Sequence, residues 1–120
     1  MKLTLVRGIP GSGKSTYARG LGIPDHYEAD MWFAERGGFD PAKLNEAHAW
    51  CFEKAKEAMD SGRSVVVSNT FIRRWEMQRY IAYAESLGIP VEDIVMTGDY
   101  GSIHNVPEYT VERMRQNFEN

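Results

Sequence analysis

The chain has 120 residues, of which 42% are hydrophobic and 26% are charged, a composition typical of an ordinary globular domain. Its net charge of −3 excludes a general basic field, so a polyanionic partner would need a local cluster of cations. Cys51 is the single cysteine, and no apolar run is long enough for a signal peptide or a membrane span. We therefore expect one cytoplasmic domain over residues 1–120, without a membrane partner.

The first element is a predicted strand over residues 2–7, which leads into a glycine-rich phosphate-binding loop, or P-loop. The loop has the pattern G-x-x-x-x-G-K-S/T, spelled here Gly8-Ile9-Pro10-Gly11-Ser12-Gly13-Lys14-Ser15-Thr16. A helix predicted over residues 15–21 follows, so the backbone N–H groups of the loop would surround a polyphosphate at a helix N-terminus. We expect Lys14 to reach the β- and γ-phosphates of ATP and the Ser15 hydroxyl to ligate Mg²⁺.

A short extended segment is predicted over residues 26–30, and it ends at an acidic residue. Ligands of open α/β sheets bind beyond the carboxyl ends of the strands, which is where Asp30 falls. Its carboxylate would orient an acceptor hydroxyl as a general base or hold a water of the Mg²⁺ shell. The alternative is that Asp30 is an ordinary N-cap for the residues that follow it.

A helix is predicted over residues 41–60, with Asp40 as its N-cap and Gly62 just past its end. The apolar positions that recur at helical spacing are Leu44, Ala47, Cys51, Ala55 and Ala58. The β-branched run over residues 64–68 then predicts a central parallel strand. Asn69 follows it, where P-loop proteins usually carry an aspartate, so this amide either binds phosphate or a magnesium-bound water, or caps a turn.

Two adjacent cations open the next predicted helix, which covers residues 73–87 and has Met77, Tyr80, Ile81, Ala84 and Leu87 on one face. Arg73 and Arg74 stand beside Trp75, a group that would grip a phosphate or stack on a base unless it is solvated surface. Arg73 is a candidate to contact the transferred phosphoryl group, and Arg74 is a candidate to contact the substrate.

The C-terminal part is predicted as a strand within residues 91–97, a glycine-containing loop and a helix from Pro107 onward. We interpret residues 98–119 as a lid over the phosphates; the alternative is that the glycine-containing loop is an ordinary connection. The helix carries Arg113 and Arg115, which cannot point the same way, so at most one of them contacts the γ-phosphoryl group. Arg113 is the candidate. Strands that alternate with helices predict an α/β class, a three-layer α/β/α P-loop NTPase fold with a minimal parallel sheet of about four strands.

In these features the sequence resembles the ATP-binding P-loop kinases related to bacteriophage polynucleotide 5′-hydroxyl kinase. The resemblance starts with Arg7 and the loop after it, and continues with the Ala29-Asp30 step. Further matching segments are Phe39-Asp40-Pro41, Glu46-Ala47-His48, Asn69-Thr70, Trp75-Glu76-Met77, Ile103-His104-Asn105-Val106-Pro107 and Glu112-Arg113-Met114. Eukaryotic ubiquitin-ligase-binding proteins with a polynucleotide-kinase-like domain share this arrangement, and zeta-toxin kinases are more distant relatives.

The resemblance implies that Asp30 is the catalytic aspartate that activates the acceptor hydroxyl, with Lys14 and Ser15 in the phosphate and Mg²⁺ positions. It also implies ATP and Mg²⁺ as cofactors. Phe33 stands three residues after Asp30, where the phage kinases carry an arginine that contacts the acceptor, and Arg36 is the nearest substitute. Relatives add a strand after the lid helix, so we expect a thin sheet edge here and a homodimer that covers it.

Three functions stay open at this point. The first is an ATP- and Mg²⁺-dependent kinase with a nucleic-acid 5′-hydroxyl as its first candidate acceptor. The second is a kinase for a nucleoside, sugar or antibiotic, which the net charge of −3 suits better than a polynucleotide. The third is an ATP-binding regulatory protein without transfer activity. Two features favour it: no acid follows the third strand, and residues 100–103 contain no arginine.

Overall fold

The computed structural model describes residues 1–98 and 107–119, in which strands and helices alternate. The strands are β1 (Leu3–Arg7), β2 (Asp25–Tyr27), β3 (Val65–Asn69) and β4 (Val91–Val95). The helices are α1 (Lys14–Gly20), α2 (Ala29–Ala34), α3 (Leu44–Asp60), α4 (Trp75–Ser86) and α5 (Glu108–Asn117), and a 3₁₀ turn (Pro41–Lys43) precedes α3. All strand pairs are parallel, in the order β2-β3-β1-β4, so the predicted α/β class with a four-stranded sheet is confirmed.

Helices cover both faces of the sheet, so its two central strands, β1 and β3, are buried along their whole length. On one face, Leu5 and Val67 pack in a cluster with residues of α3 and α4. On the other face, Val6 and Val66 pack against Ala18 of α1. The result is the predicted arrangement of three layers. Within the described ranges, no helix has the length and apolar character needed to cross a lipid bilayer.

The parallel direction of the strands brings four connecting segments to one edge of the sheet. Arg7 at the end of β1 is level with Asn69 of β3 and Val95 of β4, and Tyr27 of β2 is level with Val67 of β3. The segments that leave these carboxyl ends therefore begin close to one another. This edge, which we call the carboxyl edge, carries the glycine-rich loop.

The predicted helix over residues 41–60 begins as its sequence indicates. The Asp40 carboxylate accepts a hydrogen bond of 3.0 Å from the Ala42 N–H, which is the capping role predicted for it. The first turn is 3₁₀ rather than α-helical. Four of the five predicted apolar positions are fully buried, namely Ala47, Cys51, Ala55 and Ala58. Leu44 is 38% exposed because it lies in the first turn, and Leu87, just past the end of α4, is 46% exposed.

The extended segment predicted over residues 26–30 is wrong in its second half. β2 ends at Tyr27, and α2 begins at Ala29, so Asp30 lies in the first turn of a helix rather than at the end of a strand. Glu28 occupies the N-cap position, so the alternative in which Asp30 is the N-cap is also wrong.

Long-range contacts favour the helix at this point. The Asn69 side-chain oxygen accepts a hydrogen bond of 2.9 Å from the Ala29 N–H, one of the N–H groups that a helix start leaves without a partner. Trp32 and Phe33 become buried in a cluster with Ala47 of α3. Both contacts reach residues far along the chain, so a local pattern does not reveal them.

A buried arginine joins the end of β1 to the C-terminal segment. Arg7 has no exposed surface, and its guanidinium donates hydrogen bonds of 3.2 and 2.7 Å to the Phe71 carbonyl and a further one to the Glu119 carbonyl. The Phe118 ring lies 4.5 Å from the guanidinium carbon, and the Asp93 carboxylate is 4.0 Å from its nearest nitrogen. Burial lowers the pKa of Arg7, and the negative charge of Asp93 opposes that shift.

The Arg7 contacts stabilise a strained turn between β3 and α4. Among the described residues, Phe71 is the single non-glycine residue with a positive φ, of 46°. This left-handed conformation costs about 1–2 kcal/mol for a residue with a Cβ. The Phe71 ring is buried against Tyr80, at a centroid distance of 5.7 Å, and Arg7 holds its carbonyl. These two contacts offset the strain.

We expect Arg7→Lys to lower the free energy of unfolding by about 1–3 kcal/mol, because lysine cannot donate the forked pair and a buried carbonyl loses its partner. Urea unfolding followed by circular dichroism measures the change. Arg19→Lys, at an exposed position of α1, is the matched control and should stay within about 0.5 kcal/mol of wild type. Equal stability of the two variants would contradict the role given to Arg7.

Candidate functional site

The loop between β1 and α1 depends on glycine for two different reasons. Gly11 and Gly13 have φ values of 81° and 91°, in the left-handed region that glycine adopts without strain. Gly8 is needed for space, since a Cβ there would lie 2.3 Å from Ser12 Oγ and 2.8 Å from the Met96 carbonyl oxygen. The loop is therefore packed closely against the end of β4.

Two buried polar side chains follow these glycines. Ser12 has no exposed surface, and its hydroxyl has no hydrogen-bond partner within the described part of the chain. Lys14, the first residue of α1, is 9% exposed. Burial lowers the pKa of the Lys14 ammonium, and the carboxylates of Asp30 and Glu28 act in the opposite direction. A buried cation beside an unpaired hydroxyl in a glycine-rich loop suits a phosphate group.

The Ser15 hydroxyl is paired with a buried acid. It donates a hydrogen bond of 3.0 Å to one carboxylate oxygen of Glu28, and the other oxygen lies 2.8 Å from His26 Nε2. Glu28 is 7% exposed. Burial alone would raise the pKa of Glu28, but the hydrogen bonds from His26 and Ser15 and the charge of Lys14 hold it below its ordinary value. An ionised carboxylate therefore lies directly beside the loop.

Asp30 lies two positions after Glu28, in a different environment. It is exposed, in the first turn of α2. Its negative charge acts on the pKa of Lys14 and on that of His48 in α3. Burial lowers the pKa of His48, while the carboxylates of Glu76 and Asp30 oppose that change. This exposed carboxylate is accessible from solvent, as a general base for an incoming hydroxyl requires.

Asn69 holds the helix that carries Asp30. Its side-chain oxygen bonds the Ala29 N–H at 2.9 Å, and its side-chain nitrogen lies 3.6 Å from the Cys51 sulfur. With 6% of its surface exposed, it connects β3, α2 and α3. Of the roles predicted for this amide, capping agrees with these contacts, although the capped helix is α2 rather than the turn that follows.

The arginines predicted as phosphate or acceptor ligands lie in separate places. The Arg36 guanidinium stacks on the Trp32 ring at 4.1 Å and donates a hydrogen bond of 3.0 Å to the Trp32 carbonyl. Arg73 is exposed, with a guanidinium nitrogen 3.4 Å from a Glu119 carboxylate oxygen, and the Arg74 backbone N–H donates to the same carboxylate at 2.8 Å. These contacts tie the start of α4 to the C-terminal segment.

A cleft of about 420 Å³ opens beside the loop, between the end of β4 and α5. Its lining residues are Ile9, Val95, Met96, Thr97, Gly98, Arg115 and Phe118. Arg115 therefore lines the cleft, with its guanidinium 2.5 Å from the Glu112 carboxylate, whereas Arg113 is exposed and is not part of the lining. Residues 99–106 of the predicted lid, with His104 and most of the matching segment 103–107, lie outside the described residues.

Three of these features carry no local signal in the sequence. The acid beside Ser15 is Glu28. The sequence pattern of residues 26–30 predicts only an extended segment and does not distinguish Glu28 from its neighbours. His26 becomes informative only through its contact with that acid. Arg115, rather than Arg113, lines the cleft because of the way α5 packs. By contrast, the loop itself is a contiguous motif, and its glycines, Lys14 and Ser15 lie together as predicted.

Comparison with known proteins identifies the family to which these features belong. A family model described as an AAA domain matches residues 3–99. NEDD4-binding protein 2 from Homo sapiens is 39% identical over 90 residues, which are 69% of this chain and 5% of that protein. The chain therefore spans a small part of the length of this curated relative.

Solved structures of kinases and of an RNA repair complex have the same fold. A chain of the Pnkp1/Rnl/Hen1 RNA repair complex aligns with a TM-score of 0.70 and 17% identity, over 98% of this chain and 43% of that chain. A gluconokinase from Sinorhizobium meliloti 1021 aligns with a TM-score of 0.65 and 18% identity, over 99% of this chain and 75% of that chain. The predicted resemblance to P-loop kinases is confirmed, and the fold is kinase-like.

We expect Gly8→Ala to weaken ATP binding at least about tenfold and to cost about 1–3 kcal/mol of stability, because the new methyl group overlaps Ser12 and the Met96 carbonyl. Titration with a fluorescent ATP analogue and thermal unfolding measure the two effects. Gly20→Ala is the matched control, since a Cβ there meets nothing within 4 Å, and helix propensity predicts up to about 1 kcal/mol of added stability. A Gly8→Ala protein that binds ATP like wild type would contradict this packing.

Proposed function

We propose that this chain, which belongs to the AAA-domain family, is an ATP-dependent phosphotransferase that moves the γ-phosphoryl group of ATP to a hydroxyl acceptor. One juxtaposition carries the proposal: the exposed Asp30 carboxylate lies in the first turn of α2 at the carboxyl edge, two residues after Glu28, which bonds Ser15 beside the buried Lys14. A glycine-rich loop and lysine by themselves support nucleotide binding. A carboxylate beside them adds the group that accepts a proton from an attacking hydroxyl.

The nucleotide would lie along the carboxyl edge. The backbone N–H groups of Gly11 and Gly13 and the Lys14 ammonium would hold the β- and γ-phosphates, with the Ser12 hydroxyl as a further donor. The cleft lined by Ile9, Arg115 and Phe118 is the adjoining space, so it would accept the nucleoside. Because Arg115 lines the cleft and Arg113 does not, we assign to Arg115 the cationic role predicted for Arg113.

The Ser15 hydroxyl fits a magnesium ion, because it is a hard oxygen donor next to the buried Lys14 of the loop. In residues 1–98 and 107–119, no group of three or more His, Cys, Asp or Glu side chains is arranged to hold a metal ion by itself. Phosphate oxygens would thus complete the ligand set, as is usual for Mg²⁺. A bound magnesium ion would neutralise charge on the β- and γ-phosphates.

The transfer step uses the two charged groups on either side of the γ-phosphate. Asp30 accepts the proton of the acceptor hydroxyl as its oxygen forms a bond to the γ-phosphorus. The bond between that phosphorus and the oxygen bridging to the β-phosphate breaks, which leaves ADP. Lys14 offsets the negative charge of the group in transfer. The products are ADP, the phosphorylated acceptor and a proton on Asp30, which is then released to water.

The acceptor we propose is a nucleic-acid 5′-hydroxyl. Trp75 is 75% exposed at the start of α4, next to Arg74, and an exposed indole beside a cation is suited to stacking on a base. The likeness to a chain of an RNA repair complex is consistent with this acceptor.

A sugar-like acceptor is the second candidate. The net charge of −3 does not favour a polynucleotide, and the fold is equally that of a gluconokinase.

We expect label from γ-labelled ATP to appear on 5′-hydroxyl RNA or DNA and not on gluconate. Trp75→Ala should raise the KM for the oligonucleotide about tenfold with kcat unchanged, because base stacking contributes about 1–3 kcal/mol. Label on gluconate alone would replace the first candidate by the second.

We expect Asp30→Asn to lower the rate of phosphoryl transfer at least about 100-fold, because the amide cannot accept the proton of the acceptor. ATP affinity should change less than about threefold, since Asp30 does not belong to the loop. Rapid-quench assays of labelled ATP measure the rate, and titration with a fluorescent ATP analogue measures the affinity.

Asp60→Asn is the control for loss of one carboxylate. Asp60 ends α3 at the opposite edge of the sheet, where it bonds the Tyr83 hydroxyl. The Asp60→Asn variant should transfer the phosphoryl group at the wild-type rate. Transfer by Asp30→Asn at the wild-type rate would eliminate Asp30 as the base.

A further inference from the structure

Glu28 is the buried ionisable group that the transfer step leaves without a role. It lies between Ser15, at 3.0 Å, and His26, at 2.8 Å, and both of its carboxylate oxygens have a protein partner. The side chains of His26 and Glu28 are each 10% exposed. Ser68 and Asn69, which end β3, provide no acid at the place where P-loop proteins usually carry one. An acid is present at the same edge of the sheet, but beyond β2.

A carboxylate in this position has an electrostatic consequence for a bound triphosphate. Glu28 bonds Ser15, the residue that follows Lys14, so its negative charge lies beside the proposed phosphate site. Two negative groups in a buried site repel each other unless a cation lies between them. Lys14 alone does not balance a triphosphate together with Glu28. A divalent cation does, and the Ser15 hydroxyl adds a second oxygen ligand for it.

We propose that Glu28 supplies the protein carboxylate of the magnesium site, which holds the ion with Ser15 either directly or through a bound water. The inference rests on the proposed function, because the ion arrives with ATP. Two acids on one short segment then have different functions. Glu28 contacts the loop through Ser15, and Asp30 is exposed, where the acceptor would bind. His26 is a positioning residue, which fixes the carboxylate orientation from its second oxygen.

The test compares the affinity for a fluorescent ATP analogue with and without Mg²⁺. Wild type should bind the analogue more tightly when Mg²⁺ is present. In Glu28→Gln that enhancement should fall at least about tenfold, because the amide is a much weaker ligand. Affinity without metal should stay equal or increase, since one repulsive charge is gone. A residue that only supports the loop would instead lower both affinities together.

Asp25→Asn is the matched control, because it removes one negative charge from the same short segment. Asp25 begins β2 at the opposite edge of the sheet, 2.8 Å from Arg63. Its ratio of affinities with and without Mg²⁺ should equal the wild-type ratio. Circular dichroism and thermal unfolding establish that each variant is folded.

The outcomes separate this inference from the proposed function. If wild type does not bind the analogue under either condition, the proposed function fails. If wild type binds it equally well with and without Mg²⁺, or if Glu28→Gln keeps the wild-type ratio, the role of Glu28 is overturned and ATP binding stands. Should Glu28→Gln not fold, Glu28→Asp keeps the charge but withdraws the carboxylate from Ser15. The wild-type ratio in that variant would equally overturn the inference.

Discussion

The buried guanidinium of Arg7 holds together the segments that surround the glycine-rich loop. It ends β1, the strand that leads into the loop, and it bonds the carbonyls of Phe71 and Glu119 on two other segments. The first bond stabilises the left-handed turn from which α4 starts, and the second fixes the end of α5. Because Phe118 stacks on the same guanidinium, the wall of the cleft beside the loop is attached to the base of the loop. One fully desolvated cation thus aligns the loop, α4 and α5.

The parallel sheet supplies the second constraint, since it gathers the chemistry at one edge. The loop leaves β1, the acid pair leaves β2, and Asn69 ends β3. Asn69 does not contribute charge; it holds the start of α2 and so determines where Asp30 lies. The buried carboxylate of Glu28 and the exposed one of Asp30 then face different partners, although they are two residues apart. These different environments are the basis of the different roles proposed for the two acids.

Local patterns predict the parts of this site that are contiguous in sequence. The loop motif, the Asp40 cap and the β-branched central strand each depend on neighbouring residues, and the structure agrees with all three. The helix at Asp30 could not be predicted in this way, because it depends on an amide about 40 residues away. The pairing of Ser15 with Glu28 likewise forms only when β2 lies near the loop.

The most direct measurement is a crystal structure of the protein with Mg²⁺ and a non-hydrolysable ATP analogue. We expect the triphosphate to lie in the loop, with the γ-phosphate between the Lys14 ammonium and the Asp30 carboxylate. The nucleoside should lie in the cleft beside Ile9 and Phe118. A triphosphate bound elsewhere, or a γ-phosphate too far from Asp30 for an acceptor hydroxyl to bridge them, would contradict the proposed phosphotransferase.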